Sequence, residues 1–424
     1  MPRASGRCLV AWLALVGFGC AACRGSADTP DARAGAPDAG GDQPVRDLGP
    51  DVSLDRGPDE ATDSYPDITC GGSRTLVPQP MSRDGGVDCG TGCRQVTFGP
   101  SVSLRYEVAD NLLVYSAGGM TDEKIYLVDL AADKEWLVQQ RPKGSPGCFE
   151  VSTDGKRIAY DCLITVKPDA LYTVPIQVFD PVTNVEQDLH CLTVTPTTGE
   201  TPENISLGST GVAVATTLGL QGTTDTFFYR FSDKTFANLS QTYGGGIAAN
   251  MSGHRIAWTE PVNGILQIVV YDTKTNQKTV VDPTGKWQYL ARIEGDKVVW
   301  MDNRNSPGEL WNPGNSDIYV HDLSTGKTAA VTTHPAEQSL PDVYGDWVVW
   351  EDWRDNPNPT PGWTGSVTEA DVYARNMKTG KEVRVTNWKG MELRPRIDNK
   401  RVFFAAPAGN NIEYFMIDLA KLGY

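Results

Sequence analysis

The sequence Ile293-Glu-Gly-Asp-Lys-Val-Val-Trp300-Met-Asp-Asn-Arg304, with Asp317-Ile-Tyr-Val-His-Asp322 after it, returns in altered form about fifty residues later. The second copy reads Val343-Tyr-Gly-Asp-Trp-Val-Val-Trp350-Glu-Asp-Trp-Arg354 and then Asp371-Val-Tyr373. Both copies consist of short apolar runs separated by turn residues. A repeat of roughly 40–50 residues built in this way is typical of a β-propeller blade.

Weaker copies of this unit run through most of the chain. The second strand of each copy is an apolar run that often ends in an aromatic residue. The predicted second strands are Leu112–Tyr115, Arg157–Tyr160, Val212–Ala215, Arg255–Trp258, Val298–Trp300, Val348–Trp350 and Val402–Phe404. The predicted third strands are Ile125–Asp129, Ile176–Asp180, Phe227–Arg230, Ile268–Asp272, Ile318–Asp322, Val372–Arg375 and Tyr414–Asp418. The sequence therefore predicts an all-β fold, a seven-bladed β-propeller, with six or eight blades as alternatives.

The two ends of the repeat region indicate how the ring closes. The last unit stops at Leu419–Tyr424 without a fourth strand, and an unassigned strand-like run, Cys93–Gly99, precedes the first unit. Pairing these two segments would satisfy backbone groups that an open sheet edge leaves exposed. We therefore expect Arg94–Phe98 to form the outer strand of the last blade.

Two residue types recur in register, and both have structural explanations. Trp258, Trp300 and Trp350 end second strands, where a large ring is expected to fill the wedge between blades. An Asp ends most third strands, and a short carboxylate before a turn normally accepts nearby backbone N–H groups. The Asp residues concerned are Asp129, Asp180, Asp272, Asp322 and Asp418.

Residues 1–22 have the features of a secretory signal peptide. Arg3 and Arg7 precede an apolar stretch that is too short to span a membrane. The following Gly-Cys20-Ala-Ala-Cys23 resembles a bacterial lipoprotein cleavage site. Lipidation at Cys23 would leave an even number of later cysteines, so we expect Cys23 to carry the lipid, with Cys20 as the alternative.

Residues 23–69 form an acidic segment. Arg24–Thr69 contains eleven acidic and four basic residues, which gives a net charge of −7. Its few aromatic and β-branched residues cannot offset the entropy cost of ordering the chain. We expect a disordered tether, followed by a cysteine-containing lead-in at 70–93 and the propeller at 94–424. The acidity argues against a nucleic-acid partner, which requires a basic surface.

Six cysteines follow the signal, and an exported protein with an even number is expected to oxidise them. They are Cys70, Cys89, Cys93, Cys148, Cys162 and Cys191. Cys148 and Cys162 flank a turn at Asp154-Gly155, which places them nearly opposite each other on an antiparallel hairpin. We expect them to be joined.

The remaining cysteines suggest two further disulfides. Cys89 and Cys93 enclose two glycines, which permit a small closed loop. Cys70 and Cys191 then remain as a pair. Zinc binding at Cys89 and Cys93 is the alternative, but no His is nearby and the compartment is oxidising.

Sequence motifs of the common catalytic classes are missing. The chain contains no GxSxG, no HExxH and no phosphate-binding loop. It has four His residues, namely His190, His254, His321 and His334. An enzyme would need His, Tyr, Arg or paired carboxylates near the propeller axis. The scarcity of His favours a non-catalytic binding module, and a carbohydrate-active enzyme such as a polysaccharide lyase is the alternative.

The longest connections join second to third strands and are expected on one face of the ring, here called the long-loop face. They are Ile164–Pro175, Gly219–Asp225, Asn305–Ser316 and Asn356–Ala370. This face carries Trp311, Trp353 and Trp363 among Pro, Gly and Asn residues. Long loops on a rigid scaffold commonly carry function. We expect a monomer that contacts an envelope protein or a glycan through this face.

Two of these loops begin with an Asp and an Arg. Asp302 and Arg304 in one unit correspond to Asp352 and Arg354 in the next. They could contribute to the binding face, or hold Ca²⁺ through their oxygens. They could also brace neighbouring hairpins by charge-assisted hydrogen bonds. No other cofactor is expected.

The pattern Gly-Asp-x-Val-Val-Trp-x-Asp-x-Arg, then Asp-Ile-Tyr-Val-x-Asp-Leu-x-Thr-Gly-Lys, resembles the repeats of TolB-like periplasmic and cell-surface β-propeller proteins. The resemblance covers the propeller alone. It implies the fold and an envelope location, and it carries no catalytic residues. Together with the signal, it predicts an exported protein that is lipid-anchored at the bacterial cell envelope, on the outer membrane.

The anchoring prediction is testable by fractionation. The Cys23→Ser variant should leave the membrane fraction, because the tether then has no lipid. Immunoblotting of membrane and soluble fractions measures this, with Cys20→Ser as the matched control. If both variants stay in the membrane fraction, the lipoprotein interpretation is wrong.

Overall fold

The computed structural model describes residues 72–83, 86–99, 101–118, 123–140, 148–162, 164–165, 172–194, 201–218, 223–240, 247–306, 316–355 and 370–424. Their strands form seven antiparallel sheets, each of which is one blade of a ring. The predicted seven-bladed β-propeller is confirmed. No helix in these ranges is long and apolar enough to cross a membrane.

The strands of each blade are given from the axis outward. Blade 1 has Val102–Ala109, Leu112–Ala117, Lys124–Asp129 and Lys134–Gln139; blade 2 has Cys148–Thr153, Ile158–Cys162, Tyr172–Asp180 and Val185–Val194, with a short Ile164–Thr165. Blade 3 has Thr201–Leu207, Gly211–Leu218, Thr223–Arg230 and Phe236–Asn238; blade 4 has Ile247–Ser252, Arg255–Val262, Ile265–Asp272 and Gln277–Val280. Blade 5 has Gln288–Glu294, Lys297–Asp302, Asp317–Asp322 and Lys327–Ala330; blade 6 has Gln338–Tyr344, Trp347–Asp352, Asp371–Asn376 and Glu382–Arg384. Blade 7 has Leu393–Asp398, Arg401–Ala408, Asn411–Asp418 and, from the N-terminal segment, Cys93–Gln95.

Closure of the ring follows the sequence prediction. Cys93–Gln95 pairs antiparallel with Phe415–Ile417 as the outer strand of blade 7. The pairing continues beyond the strand, because the Val96 N–H donates to the Tyr414 carbonyl at 2.7 Å. The hydroxyl of Thr97 donates to the buried carboxylate of Glu413 at 2.5 Å. The first and last parts of the propeller therefore share one sheet.

The N-terminal segment reaches two further blades, which the sequence did not predict. Ser73–Thr75 adds a fifth strand to the outer edge of blade 2, and Gln79–Pro80 does the same in blade 1. Strands of two or three residues are too short to show an alternating pattern in the sequence. Pro80 is tolerated because its strand lies at the outer edge of blade 1, where one side of the backbone needs no ladder partner. The segment 72–98, here called the strap, thus crosses blades 2, 1 and 7.

Two connections that were expected to be long loops contain strand residues at their described ends. The strands of blade 3 extend to Leu218 and start again at Thr223, so Gly219–Asp225 was too wide. Within Ile164–Pro175, the short strand Ile164–Thr165 pairs with Tyr172 and Thr173. The β-branched residues in both segments extend the ladder beyond the apolar core that was visible in the sequence.

The core lies between the blades and has the expected aromatic wedges. Trp258, Trp300 and Trp350 are fully buried, each in a cluster shared with a neighbouring blade. Two disulfides, Cys148–Cys162 and Cys89–Cys93, match the predicted pairs. Cys191 is also disulfide-bonded, and Cys70 lies outside the described residues.

The inner strands are joined to each other by side chains, an arrangement that we call the axial latch. In four places within the described ranges, a polar side chain of one inner strand accepts a backbone N–H of the next blade's inner strand. The pairs are Ser152 with Leu207 (2.9 Å), Ser206 with Met251 (2.8 Å), Asn250 with Ile293 (2.8 Å) and Asp342 with Ile397 (2.9 Å). The axial edge of an inner strand has no ladder partner, so these contacts satisfy donors that would otherwise be buried unpaired.

Truncation tests closure by the strap. A protein starting at Ser101 should melt on the order of 10 °C below one starting at Thr69, because blade 7 loses its outer strand and blades 1 and 2 lose an edge. Differential scanning calorimetry measures the difference. A protein starting at Gly86 keeps the closing strand and should fall between the two. Equal melting temperatures for the Thr69 and Ser101 starts would contradict closure.

Candidate functional site

The predicted binding residues Asp302 and Arg304 form a brace inside blade 5. The Trp300 indole N–H donates to Asp302 Oδ2 at 2.8 Å, and Arg304 Nε donates to Asp302 Oδ1 at 2.9 Å. The Arg304 guanidinium also lies 3.9 Å from the centre of the Tyr319 ring. Burial alone would lower the pKa of Arg304, but the hydrogen bonds that Arg304 donates to Asp302 and Asp282 outweigh it and raise the pKa.

Blade 6 repeats this brace with Asp352 and Arg354. The Trp350 indole N–H donates to Asp352 at 2.7 Å, and Arg354 Nε donates to Asp352 Oδ1 at 2.9 Å. The guanidinium lies 4.4 Å from the centre of the Tyr373 ring. The carboxylates of both blades are occupied by the chain's own donors, as the bracing interpretation predicts. They do not present free oxygens for Ca²⁺.

Three more blades contain the same aromatic–carboxylate–cation unit. In blade 4, Trp258 donates to Glu260 at 2.9 Å, and Lys278 pairs with that carboxylate at 2.7 Å. In blades 1 and 2 the aromatic residue is a Tyr, and the cation comes from the strap. The contacts there are Tyr115–Glu135–Arg83 and Tyr160–Glu186–Arg74. The Trp-x-Glu spacing could have revealed Glu260, but Glu135 and Glu186 lie far along the chain from their Tyr partners and gave no such signal, and nor did the cations.

Of the three Trp residues predicted on the long-loop face, only Trp353 lies within the described residues. Its side chain is half-buried, and its indole N–H lies 3.4 Å from the Ser339 hydroxyl. Its backbone N–H donates to the Glu337 carbonyl at 3.1 Å. Trp311 and Trp363 lie outside the described residues. Trp353 therefore marks the root of the long-loop face.

A cavity of about 1180 Å³ opens at the axis on the opposite, short-turn face. Its wall is formed by the first-to-second strand turns around the ring and by two third-to-fourth strand turns. Wall residues include Asp110, Lys156, Ser209, Gly253, Glu294 and Tyr344. We call this cavity the axial cup. The sequence did not predict it, because it is formed by turns far apart in the chain.

Charged side chains close the inner end of the cup. Arg292 of blade 5 contacts Glu107 of blade 1 at 2.6 Å and Asp342 of blade 6 at 3.1 Å. Arg396 of blade 7 also approaches Glu107, at 3.3 Å. Burial opposes ionisation of Glu107, but Arg292 and Arg396 outweigh it and lower the pKa of Glu107. The contacts reach across the axis, so the cup has a floor.

The wall of the cup has an excess of negative charge. Eight carboxylates line it, against three cationic side chains. Arg292 is committed to the floor, and Arg157 pairs with Asp154 at 2.6 Å. Asp129 and Asp180 each cap a turn through Oδ1, as the recurring Asp pattern predicts. The cup therefore presents an acidic surface to solvent.

A buried acid pair lies near the other end of the axis. The Asp161 carboxylate accepts the Glu150 N–H at 2.7 Å, and Glu150 contacts Arg105 at 3.1 Å. Burial raises the pKa of Glu150 to about 7. Burial and the neighbouring Glu150 charge raise the pKa of Asp161 to about 8. Sequence reasoning missed this pair, because isolated acidic residues gave no signal.

The described residues give no sign of a metal centre. In these ranges, no group of three or more His, Cys, Asp or Glu side chains is placed to hold an ion. Several charged groups near the axis, among them Arg292, Glu107 and Asp342, instead pair with each other.

No protein-family model matches the chain, and no curated protein matches it. An oligogalacturonate lyase from Vibrio parahaemolyticus is 12% identical, with a TM-score of 0.53 over 82% of this chain and 98% of the lyase. The β-propeller domain of the trilobed protease from Pyrococcus furiosus is 11% identical, with a TM-score of 0.51 over 75% and 95%. TolB from Acinetobacter baumannii is 16% identical, with a TM-score of 0.39 over 72% and 79%. The likeness to the lyase and to the protease domain is distant and shows the β-propeller fold alone, and the TolB likeness is weaker still.

The acid pair predicts an unusual pH dependence of stability. The pKa of Asp161 is higher in the folded protein than in the unfolded chain, so the stabilisation is complete below about pH 4 and is lost as the pH rises through 8. Asp161→Asn mimics the protonated acid at every pH. It should raise the free energy of unfolding by roughly 1–3 kcal/mol at pH 8 and much less at pH 5.

Chemical denaturation at the two pH values measures this effect. Asp352→Asn is the matched control, because that carboxylate is held by Arg354 and Trp350. It should destabilise the protein at both pH values. An Asp161→Asn effect that is equal at pH 5 and pH 8 would contradict the assignment.

Proposed function

We propose that this propeller is a non-catalytic binding module for a protein or glycan at the bacterial cell envelope. The signal, Cys23 and the acidic tether support an exported, lipid-anchored location. The two disulfides are consistent with an oxidising compartment. The axial cup is the observation that carries the binding function.

The cup combines the properties of a binding site. Its volume suits a ligand or an inserted segment of a partner. The axial latch fixes its wall, and the Arg292 contacts fix its floor, so little ordering is required when a partner binds. The ionisable groups at its inner end are engaged in ion pairs rather than held ready for proton transfer. These features favour recognition over chemistry.

The long-loop face is the surface that the sequence favoured, and it remains part of the proposal. Trp311, Trp353 and Trp363 would contact a partner there, with the braces of Asp302, Arg304, Asp352 and Arg354 holding the loop roots. Aromatic side chains are frequent anchors of protein and sugar partners. A partner that occupies the cup leaves this face free, so the two surfaces can be tested separately.

A carbohydrate-active enzyme, such as a polysaccharide lyase, is the second candidate. The observation that favours it is the Glu150–Asp161 pair beside Arg105. Carboxyls with pKa values near neutrality can donate or accept a proton at working pH. Release of new reducing or unsaturated ends from acidic oligosaccharides, lost in Glu150→Gln, would establish this function instead.

Obstruction of the cup tests the binding proposal. Ser209 is exposed and lines the cup, so Ser209→Trp should fill part of it. This variant should keep its melting temperature and lose capture of envelope proteins or glycans by more than tenfold. Ser324→Trp, on an exposed turn outside the cup, is the matched control. Capture is measured by pull-down with mass spectrometry and by glycan array.

A double variant tests the other face in the same assay. Trp353→Ala/Trp363→Ala should keep the β-sheet circular dichroism signal. Loss of capture in this variant alone would move the site to the long-loop face. Full retention of every partner by this variant and by Ser209→Trp would contradict the binding-module function.

A further inference from the structure

We propose that the axial cup receives a segment of a partner protein that is rich in Lys and Arg and flanked by apolar residues. The inference rests on the proposed binding function and specifies the chemistry of the partner. It follows from the charge of the cup wall, from its aromatic residues and from exposed valines beside it.

The carboxylates of the wall outnumber the cations that could neutralise them. Within the described part of the chain, Asp129, Asp180 and Glu294 line the cup without an ion-pair partner. Asp129 and Asp180 use Oδ1 for turn N–H groups, and Glu294 accepts one weak hydrogen bond from the Gly345 N–H at 3.3 Å. A cationic ligand would be attracted by all three carboxylates. Charge complementarity would also accelerate its encounter with the cup.

Aromatic side chains lie on the same wall. Trp136 and Tyr344 line the cup and are half-buried. Burial raises the pKa of Tyr344, and so do the charges of Asp398, Glu294 and Asp110, which places its ring among carboxylates. An aromatic face beside acidic groups favours guanidinium and ammonium groups through cation–π attraction.

Exposed valines lie beside the cup on blade 2 and the strap. Val182 lines the cup and is 88% exposed, and nearby Val77 and Val185 are 85% and 38% exposed. The strap holds Val77 in place, because the Leu76 N–H donates to the Asn184 carbonyl at 2.9 Å. These three are among the four large apolar side chains that stand out as exposed in the described ranges. Exposed apolar side chains beside a cavity mark an interaction surface.

Charge also excludes other occupants. The tether has a net charge of −7, so the acidic cup repels the chain's own N-terminal segment. Acidic glycans and nucleic acids carry the same sign and are disfavoured in the same way. A basic polypeptide segment satisfies the acidic wall, the aromatic residues and the exposed valines together.

Binding of defined peptides to the full-length protein tests this inference. Fluorescence anisotropy would compare a hexa-arginine peptide, a hexa-glutamate peptide of the same length, and hexa-arginine extended by Leu-Val-Leu. Hexa-arginine should bind and weaken with added salt, the extended peptide should bind more tightly, and hexa-glutamate should not bind. Absence of hexa-arginine binding, or equal binding of both charged peptides, would overturn the proposal.

Matched pairs of substitutions locate the site. Asp180→Asn/Glu294→Gln keeps the hydrogen-bond acceptors, removes two charges from the cup and should weaken hexa-arginine binding about tenfold. Asp233→Asn/Asp418→Asn removes two charges from turns outside the cup and should have no effect. Equal weakening by both pairs would show diffuse attraction and overturn the proposal. Val77→Ser/Val182→Ser should make the extended peptide bind no more tightly than hexa-arginine and should leave hexa-arginine binding unchanged. If the extended peptide still binds more tightly, the valines do not contact the apolar flank of the partner.

The outcomes separate this inference from the binding function. If Ser209→Trp abolishes capture of an envelope partner but hexa-arginine does not bind, the binding function stands and the basic chemistry is wrong. If hexa-arginine binds and is insensitive to Ser209→Trp, the cup is not its site and the inference fails.

Discussion

The inner edge of each blade is the constraint on which the rest of the propeller depends. An inner strand pairs with its own blade on one side and has no ladder partner on the other, so its donors face the axis. The axial latch satisfies these donors with side chains of the preceding blade, such as Asn250 and Asp342. Each bond crosses a seam between blades. These bonds fix the distance between neighbouring inner strands. The wall and floor of the cup, which are built on those strands, are therefore fixed as well.

The strap covers the outer edges of blades 1, 2 and 7. It supplies the missing strand of blade 7, and it brings Arg74 and Arg83 to buried carboxylates in blades 2 and 1. Removing either cation would leave a buried carboxylate without its counter-charge, which is costly. Blades 4, 5 and 6 provide the cation from their own residues. In blades 1 and 2 the strap thus supplies the cation that blades 4, 5 and 6 contain within their own repeats.

The sequence predicted those features of the fold that depend on interactions between residues close together in the chain. Second strands, wedge aromatics such as Trp300, turn-capping Asp residues and the Cys148–Cys162 hairpin all depend on near neighbours. The cup could not be predicted, because its wall joins turns from all around the ring. The Glu150–Asp161 pair depends on a bulge between Cys148 and Val151, which no periodicity shows. Asp302 and Asp352 were correctly placed at loop roots, but only the structure shows the donors that occupy them.

The pairing of Arg94 with Met416 also governs the order of folding events during synthesis. The strap leaves the ribosome early, but its partner in blade 7 is among the last segments to be made. Contacts of such large sequence separation form slowly, and partly folded chains expose strand edges in the meantime. Closure can therefore occur only after the chain has been made through blade 7. A product interrupted before blade 7 lacks this pairing and remains an open ring, and cellular proteases and chaperones can distinguish its unpaired strand edges from the closed propeller.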